Sequence, residues 1–449
     1  MAVINYIIGL GASVMMPIIF TIIGVIIGLG VGKSLKSGLT VGVGFVGLSV
    51  VTTLLTDNLG PVVNQIADIY DLQLNVLDIG WPAASSIAYS SQMGAIVIPF
   101  GLALNVVMIL TKTTKTIAMD LFNYWHYAFV GSIVYTLTNS FGWAIFIVAA
   151  NFIIINCIAD LESSRIQEYY GEKVTGIGFP VPVCAPYAPI AHVLNGIMDK
   201  MPGINKIDFN ADTMQKKLGV IGEPLFLGTV IGAVLGFLAG YPVSDILKLG
   251  VNMGAVMVLI PRITGLLIEG LLPITEAVKQ MLREKFKDHK DLLIGLSPSL
   301  VVGDPTIMVC SILVVPFILF LSVVLPGNQF LPVASLAGAM YIYPLVVPIT
   351  KGNVFRTFII GMVALVMGNY IATNLAAVFT QSALVSGVTL PEGTEYVACF
   401  DYAGNPITWI LYHLAELKWI GAAALTVLCI FLMILNRRKI VSELKKDTN

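Results

Sequence analysis

Long apolar runs, separated by short polar segments, make up most of this chain. The runs are about 18 to 25 residues long, which at helical rise matches the hydrocarbon thickness of a bilayer. A membrane β-barrel would instead show short segments of alternating polarity. The pattern therefore predicts an all-α polytopic membrane protein with about eleven transmembrane helices. We place them near residues 6–30, 38–56, 93–111, 125–138, 142–159, 221–240, 246–270, 307–325, 330–350, 355–376 and 418–436.

One arrangement of polar and apolar positions occurs twice. In each copy a polar amphipathic segment leads through Gly, Pro and small residues into an apolar run. The copies are 61–78 followed by Trp81-Pro82, and 273–291 followed by Ser297-Pro298. Duplicated, interrupted hydrophobic segments indicate a transporter's binding site, because broken helices expose backbone groups to a substrate at membrane depth. We therefore predict inverted repeats with re-entrant hairpin loops at 79–92 and 294–306.

The basic residues predict the orientation in the membrane. Lys33 and Lys36 follow the first span, and the run Arg437 to Lys439 follows the last. By the positive-inside rule both positions are cytoplasmic, so the N-terminus lies outside, the C-terminus is cytoplasmic and the number of crossings is odd. Segment 61–78 has aspartates but no Lys or Arg, whereas 273–291 has four Lys and one Arg. An inverted repeat predicts this difference, since the two copies face opposite sides.

The chain divides into four predicted parts. Four prolines between 176 and 195 are too many for an uninterrupted helix, so this stretch separates the two repeats. The parts are 1–175, a first five-helix repeat with re-entrant segment 79–92; 176–220, a broken or re-entrant and cytoplasmic connecting segment; 221–380, a second, inverted repeat with re-entrant segment 294–306; and 381–449, an outer loop and the last transmembrane helix with a cytoplasmic tail.

Composition and motifs exclude several function classes. The formal net charge of -1 argues against a nucleic-acid partner. The five cysteines and four histidines show no disulfide or metal-site spacing. Two glycine-rich stretches, 28–34 and 42–47, resemble nucleotide-binding motifs but follow no strand, so close helix packing is the better interpretation. We therefore predict no metal, no cofactor and no catalytic residue on this chain.

Polar residues in the broken segments are the first candidates for a binding site. Ser85, Ser86 and Gln92 crowd the start of an apolar run, where they could bond a polyhydroxylated ligand or merely neighbouring backbone. His126 follows Trp125 at the start of a span. This pair combines an aromatic face with a donor and acceptor, as sugar sites do, but an interfacial anchor would have the same pattern.

Two carboxylates complete the candidate set. Glu223 precedes Pro224 at the start of a helix, where the helix dipole favours a carboxylate, so capping alone could explain it. Asp304 lies inside the second broken segment. An ionisable residue at membrane depth is a functional candidate, either as an acceptor for ligand hydroxyls or as a group that titrates during transport. The alternative is a helix cap beside a wet cavity.

Stretches along nearly the whole chain carry a family resemblance. They are GVGFVGL (42–48), DIGWPAASS (78–86), Trp125-His126, MPGINKIDFNADTMQKKLGVIGEP (201–224), VMVLIPRI (256–263), VPGNQFLP (325–332), GNVFRT (352–357) and NPITWIL (405–411). At these residues the chain resembles the membrane subunit, component IIC, of the galactitol-type phosphoenolpyruvate-dependent sugar phosphotransferase systems, in the ascorbate/galactitol superfamily.

The resemblance implies a homodimer in the bacterial cytoplasmic membrane. Each protomer would contain a core domain, which holds the substrate between re-entrant loops, and a scaffold (V-motif-like) domain. The core would move like an elevator and present the substrate to a separate IIB protein, whose phosphocysteine is charged by IIA, so that this chain itself carries no phosphorylated residue. By similarity the substrate-binding residues are Trp81, Ser85, Ser86, Gln92, His126, Glu223 and Asp304.

The chain departs from the family pattern at three ligand loops. Galactitol-type members have a Pro-His-Gly element where this chain has Pro180-Val181-Pro182, and a Leu-Asp-Pro where it has Leu296-Ser297-Pro298. Asp304 stands where a histidine is expected. These differences change the hydrogen-bonding groups of the site, so another polyol or a pentitol is also compatible with the sequence.

The functional expectation is vectorial phosphorylation. The chain would act as the permease subunit of a sugar phosphotransferase complex, which binds an extracellular polyol, galactitol or a related alditol, and releases it inside as a phosphate ester. The alternative is a proton-coupled secondary transporter of a polyol or sugar acid, in which Asp304 or Glu223 titrates.

Overall fold

The computed structural model describes residues 11–204, 207, 223–285, 292–388, 390 and 393–447. The described chain is mostly helical. Its helices are α1 (Ala12–Ile26), α2 (Val31–Tyr70), α3 (Gly80–Tyr89), α4 (Gln92–Leu110), α5 (Trp125–Thr138), α6 (Phe141–Tyr170), α7 (Tyr187–Lys200), α8 (Pro224–Leu238), α9 (Val243–Lys285), α10 (Pro305–Val324), α11 (Val346–Thr350), α12 (Val354–Val385), α13 (Pro406–Glu416) and α14 (Trp419–Asp447).

In the described part of the chain, seven helical segments are long and apolar enough to cross a membrane: Val31–Tyr70, Gln92–Leu110, Phe141–Val174, Val243–Val278, Pro305–Val324, Val354–Val385 and Trp419–Glu443. Two shorter apolar helices, α1 and α8, occupy the predicted spans at 6–30 and 221–240. Residues 6–10 of the first of these spans lie outside the described residues. The all-α polytopic class is confirmed, whereas seven spans rather than about eleven meet this criterion within the described residues.

The predicted span near 330–350 is not a continuous helix. The chain there forms a 3-10 helix, Ser335–Ile342, and the five-residue α11. Prolines at positions 332, 344 and 348 explain the breaks, because proline removes a backbone donor and clashes with the preceding turn. The apolar composition of this segment reflects burial inside the protein rather than a membrane crossing.

Within the described residues, five very short strands form two parallel sheets. The strands are β1 (Val76–Asp78), β2 (Thr116–Ala118), β3 (Ile177–Gly178), β4 (Leu293–Gly295) and β5 (Tyr396–Ala398). β1 pairs with β5, and β4 lies between β2 and β3. Val76 is opposite Tyr396, and Ile294 is opposite both Ile117 and Ile177. The sheets therefore join segments that are far apart in sequence.

The long helices α2 and α9 pack against each other in antiparallel fashion. A Cβ on Gly44 would lie 2.6 Å from Leu267, and one on Gly47 would lie 2.9 Å from Ile263. Further along, the Asn252 amide donates to the Asn58 side chain at 2.8 Å. As residue numbers rise on α2 they fall on α9. Small residues permit this close approach, as is typical of helix pairs in membranes.

Candidate functional site

A cavity of about 490 Å³, including its open mouth, lies where the broken segments meet α9. We call it the central cavity. Trp81 of the first duplicated segment and Ser297-Pro298 of the second both line it, with Thr264 and Ile268 of α9 opposite. The two duplicated segments therefore meet at one cavity. Its remaining walls are Phe122, Asn123, Trp125, His126, Val183, Ser299, Tyr341 and Asp401.

The five strands position these walls, because the chain reaches the central cavity within a few residues of the end of each strand. β1 leads to Trp81, β4 to Ser297 and β5 to Asp401. β2 leads to the Phe122–Tyr124 turn and the start of α5, and β3 leads to Val183. Parallel strands bring their carboxyl ends to one edge of a sheet, so residues from five distant segments converge there.

His126 is held in one tautomer. Its ring stacks on Trp125 with centroids 3.9 Å apart and meets the edge of Tyr402 at 4.8 Å. Nδ1 lies 2.8 Å from the Asn123 carbonyl oxygen, so Nδ1 carries a proton and donates it. In the neutral ring Nε2 is then an acceptor. The side chain is 2% exposed, which favours that neutral form.

Two polar atoms beside the central cavity have no hydrogen-bond partner among the described residues. They are Trp125 Nε1, a donor, and Asp401 Oδ2. A shielded polar group left unpaired costs about 1–3 kcal/mol. A ligand hydroxyl can both donate and accept, so a hydroxyl-bearing ligand would satisfy both atoms.

Asp78 and Ser335 fix the position of Asp401. The Ser335 hydroxyl donates to Asp78 at 2.6 Å and accepts from the Phe400 backbone N–H at 2.8 Å. Asp78 also accepts from the backbone of Gly80 and Val333, at 3.0 and 2.9 Å. The Asp78 carboxylate is buried on β1. Its hydrogen bonds hold the chain after β5 against the start of the 3-10 helix Ser335–Ile342. Asp401 follows one residue after Phe400.

Asp401 lies between β5 and α13, outside the seven apolar spans. Burial raises the pKa of its carboxyl to about 8, and the nearby Asp78 charge adds to the rise. The neutral acid is therefore favoured near neutral pH. In that form the group can both donate to and accept from a ligand hydroxyl.

Residues 6–393 match the family of PTS system sugar-specific permease components, EIIC-GAT. The chain belongs to this family. The galactitol-specific EIIC component of Escherichia coli strain K12 is 36% identical over 411 residues, covering 91% of this chain and 90% of the relative. Its counterpart in strain O157:H7 matches equally. A permease IIC component of strain K12 is 32% identical over 439 residues, covering 98% of this chain and 100% of the relative.

The permease brings two of its seven predicted site residues to the central cavity, Trp81 and His126. Ser85 is fully buried and donates to the Pro82 carbonyl at 2.8 Å, which is the local backbone role considered above. Ser86 lines a second cavity. Gln92 is half-buried as the first residue of α4 and is not among the described residues that line either cavity.

Neither of the two predicted carboxylates is among the described residues that line the central cavity of the permease. Glu223 is exposed directly before α8. Asp304 caps α10: its Oδ1 accepts from the backbone N–H groups of Thr306 at 2.9 Å and Ile307 at 3.3 Å. These two bonds match the helix-cap interpretation of Asp304.

Sequence reasoning missed Asp401 and Asn123 as cavity residues. Asp401 fell in the segment predicted as an outer loop, although it is the only charged residue between Glu395 and Glu416 in an otherwise apolar stretch. That isolation was the available signal, since an ionisable residue in such surroundings needs a special reason. Asn123 had no comparable signal, because its position depends on the strand β2 before it.

Among the described residues, no group of three or more His, Cys, Asp or Glu side chains is placed to hold a metal ion. The described walls of the central cavity also contain no Lys or Arg. The functional groups of these walls are aromatic rings, hydroxyls, an imidazole, an amide and one carboxyl group. This set suits an uncharged, polar ligand better than an anion.

Proposed function

We propose that this permease binds a polyol, galactitol or a related alditol, in the central cavity. It then translocates the polyol and presents it to a separate IIB protein for phosphorylation. The observation that carries the proposal is the set of unpaired groups around the cavity, Trp125 Nε1 and Asp401 Oδ2, with His126 Nε2 as a further acceptor. The relatives with a stated substrate are galactitol-specific, which supports an alditol.

Phosphorylation would also drive release. The central cavity has a carboxyl group and no cation among its described walls. A phosphate ester carries about -1.5 to -2 charges at neutral pH. Removing such charge from water without a compensating partner is costly, and Asp401 adds repulsion when ionised. The ester would therefore leave a site that holds the neutral polyol, which makes uptake one-directional.

Repeated contacts support the proposed internal repeat, with α1–α2 corresponding to α8–α9 at an offset of 212 positions. A Cβ on Gly38 would meet the carbonyl oxygen of Pro17, and one on Gly250 would meet that of Thr229. Both partners of the second contact lie 212 positions after those of the first. A second pair of contacts has the same offset. A Cβ on Gly42 would meet the carbonyl oxygen of Ser13, and one on Gly254 would meet that of Leu225.

The orientation of the two copies supports an inverted relationship. Equivalent long helices, α2 and α9, pack antiparallel, as a two-fold axis in the membrane plane would require. The strands are interlocked between the copies. β4 of the second copy lies between β2 of the first copy and β3 of the connecting segment, while β1 of the first copy pairs with β5, which follows the second.

The strand-centred core and the α1, α2, α8 and α9 scaffold are then the two bodies of an elevator. In this proposal the core carries the polyol along the scaffold, and the scaffold joins two protomers in a homodimer. The central cavity lies at their boundary, with Thr264 and Ile268 on the scaffold side. Alternating access in repeat transporters commonly moves one bundle against the other around such a site.

Uptake by proteoliposomes tests this function. Purified permease is reconstituted, and labelled galactitol is supplied outside. Inside are phosphoenolpyruvate, IIA, IIB and the general phosphotransferase proteins that charge IIA. We expect accumulation of the phosphate ester only when IIB is present. Accumulation of free galactitol driven by a pH step without IIB would contradict the proposal and favour the proton-coupled alternative.

A further inference from the structure

A second cavity separates α2 from the re-entrant helix α3. It measures about 880 Å³ including its mouth, and four hydroxyl side chains of α2 line it: Ser49, Thr52, Thr53 and Thr56. Ser86 of α3 contributes a fifth hydroxyl from the opposite wall. We call it the hydroxyl cavity.

The hydroxyls of α2 lie on one face of the helix. Their spacing of three, four and seven positions is that of one helical stripe. Nearby exposed residues of the same helix, Val43, Val46 and Val50, are apolar, which is typical of a surface that contacts lipid. α2 is one of the apolar spans, and all four of these hydroxyl residues line the cavity. Polar groups at membrane depth favour a water-filled path.

Local backbone bonding explains only part of this stripe. Serine and threonine in membrane helices commonly bond a carbonyl of the preceding turn. Thr56 does so, with its hydroxyl 3.2 Å from the Thr53 carbonyl. Within the described part of the chain, no hydrogen bond is found for the hydroxyls of Ser49, Thr52 and Thr53. They remain available to a ligand or to water.

Helix α3 is the wall between the two cavities. Trp81 lines the central cavity and Ser86, five residues later, lines the hydroxyl cavity. Five residues correspond to about 140° around a helix, so the two side chains lie on different faces. The same short element therefore contacts both spaces.

The internal repeat relates the two cavities. Thr52 and Thr56 lie 212 positions before Thr264 and Ile268, the α9 residues that line the central cavity. The equivalent face of each long helix thus meets a cavity beside the core: α9 meets the central cavity and α2 the hydroxyl cavity. If the two repeats exchange roles in the opposite-facing state, Thr52 and Thr56 become the scaffold wall of the substrate site.

We propose that the hydroxyl cavity is a second binding position for a neutral polyol, in which Thr52 and Thr56 contact the ligand during transport. This inference rests on the proposed function and adds a site to it. Threonine hydroxyls both donate and accept, so they match a ligand with many hydroxyls. By the predicted orientation this end of α2 leads outward, which makes the cavity the outer part of the path.

Cysteine protection tests the site directly. Thr53 is exposed on the cavity face of α2, and the five native cysteines are buried. A Thr53→Cys variant should therefore react selectively with a polar maleimide. We expect saturating galactitol to slow this reaction at least threefold. Asp68→Cys, at an exposed position towards the same end of α2, is the matched control and should react at an unchanged rate.

Removing the hydroxyls distinguishes two causes of protection: direct contact between the ligand and the hydroxyl cavity, and closure of the core over it. We expect Thr52→Val/Thr56→Val to abolish the protection of Thr53→Cys and to raise the galactitol concentration for half-maximal coupled uptake at least fivefold. Thr426→Val removes an exposed hydroxyl on α14 and should change neither.

The outcomes distinguish this inference from the proposed function. Wild-type permease that takes up no alditol with IIA and IIB contradicts the proposed function. If the wild type transports galactitol, an unprotected Thr53→Cys overturns the second site alone. Protection that survives the two valines also overturns it, because closure of the core would then be the cause.

Discussion

Asp401 and Trp125 line the same cavity, and each has a buried polar atom without a hydrogen-bond partner among the described residues, Oδ2 and Nε1 respectively. Unpaired groups of this kind are costly in the empty protein, and a ligand that pairs them recovers that free energy on binding. Selectivity follows from the same argument. A ligand that lacks the matching hydroxyls would leave both groups unpaired. These two side chains would therefore determine which sugars bind.

Replacement of Asp401 should weaken polyol binding. A hydrogen bond to the neutral carboxyl group contributes about 0.5–1.5 kcal/mol, so we expect Asp401→Ala to raise the Kd for galactitol by about 2- to 12-fold. Calorimetric titration of purified permease measures it. Asp401→Asn keeps one acceptor and one donor and should lose less. An Asp401→Ala variant that is folded and binds with unchanged Kd would remove Asp401 from the site.

Asp401 also predicts a pH dependence of stability. Its folded pKa of about 8 lies above the usual value near 4, so between those values the folded state holds a proton that the unfolded chain releases. Stability therefore falls as pH rises through this window. The melting temperature of Asp401→Asn should exceed that of wild type by an amount that grows from pH 5 to pH 8 and then levels. A constant difference across this range would argue against the buried acid.

Asp304 gives the opposite expectation. It bonds the first N–H groups of α10, and loss of such a cap costs about 0.5–2 kcal/mol. Asp304→Ala should therefore lower the melting temperature while the Kd for galactitol stays within twofold of wild type. Thermal unfolding and titration of the same preparation measure both. A tenfold loss of affinity at unchanged stability would restore Asp304 as a ligand.

At the scale of elements, hydrophobic runs predicted the long helices well because burial in lipid needs length and apolar composition together. They failed at 330–350, where apolar residues and prolines form a buried irregular segment. They also could not predict the strands. β3 has two residues and the others have three, so no alternating pattern can develop. Asp401 was missed for that reason, since β5 places it.

The glycine contacts of α2 provide a test at this scale. A Cβ on Gly38 would lie 2.4 Å from the Pro17 carbonyl oxygen, whereas one on Gly32 meets nothing within 4 Å. Overpacking costs about 1–3 kcal/mol, and alanine otherwise favours a helix over glycine. Gly38→Ala should therefore lower the melting temperature, while Gly32→Ala should leave it equal or higher. Equal melting temperatures would contradict tight packing of α1 on α2.

At the scale of the whole molecule, the proposed architecture places the central cavity between a core built from interlocked strands and the scaffold helices. At this location the same walls would select the neutral polyol and release its phosphate ester. The described walls hold no cation, so the product of phosphorylation would find no charge partner at the proposed polyol site.

The phosphate ester of the alditol should therefore bind at least tenfold more weakly than the alditol itself, because its charge loses hydration without a partner. Competition against labelled galactitol on purified permease measures the ratio. A different sugar alcohol phosphate serves as the control for non-specific charge effects. Equal or tighter binding of the ester would mean that product release needs another cause.

Pairing of β1 with β5 constrains how the protein is made. Val76 and Tyr396 are 320 positions apart, so the ribosome has produced most of the chain before β1 meets its partner. A nascent or truncated chain that ends before β5 keeps an open strand edge, and such edges promote aggregation. Premature termination anywhere upstream should thus yield a product for quality-control proteases rather than a smaller working transporter.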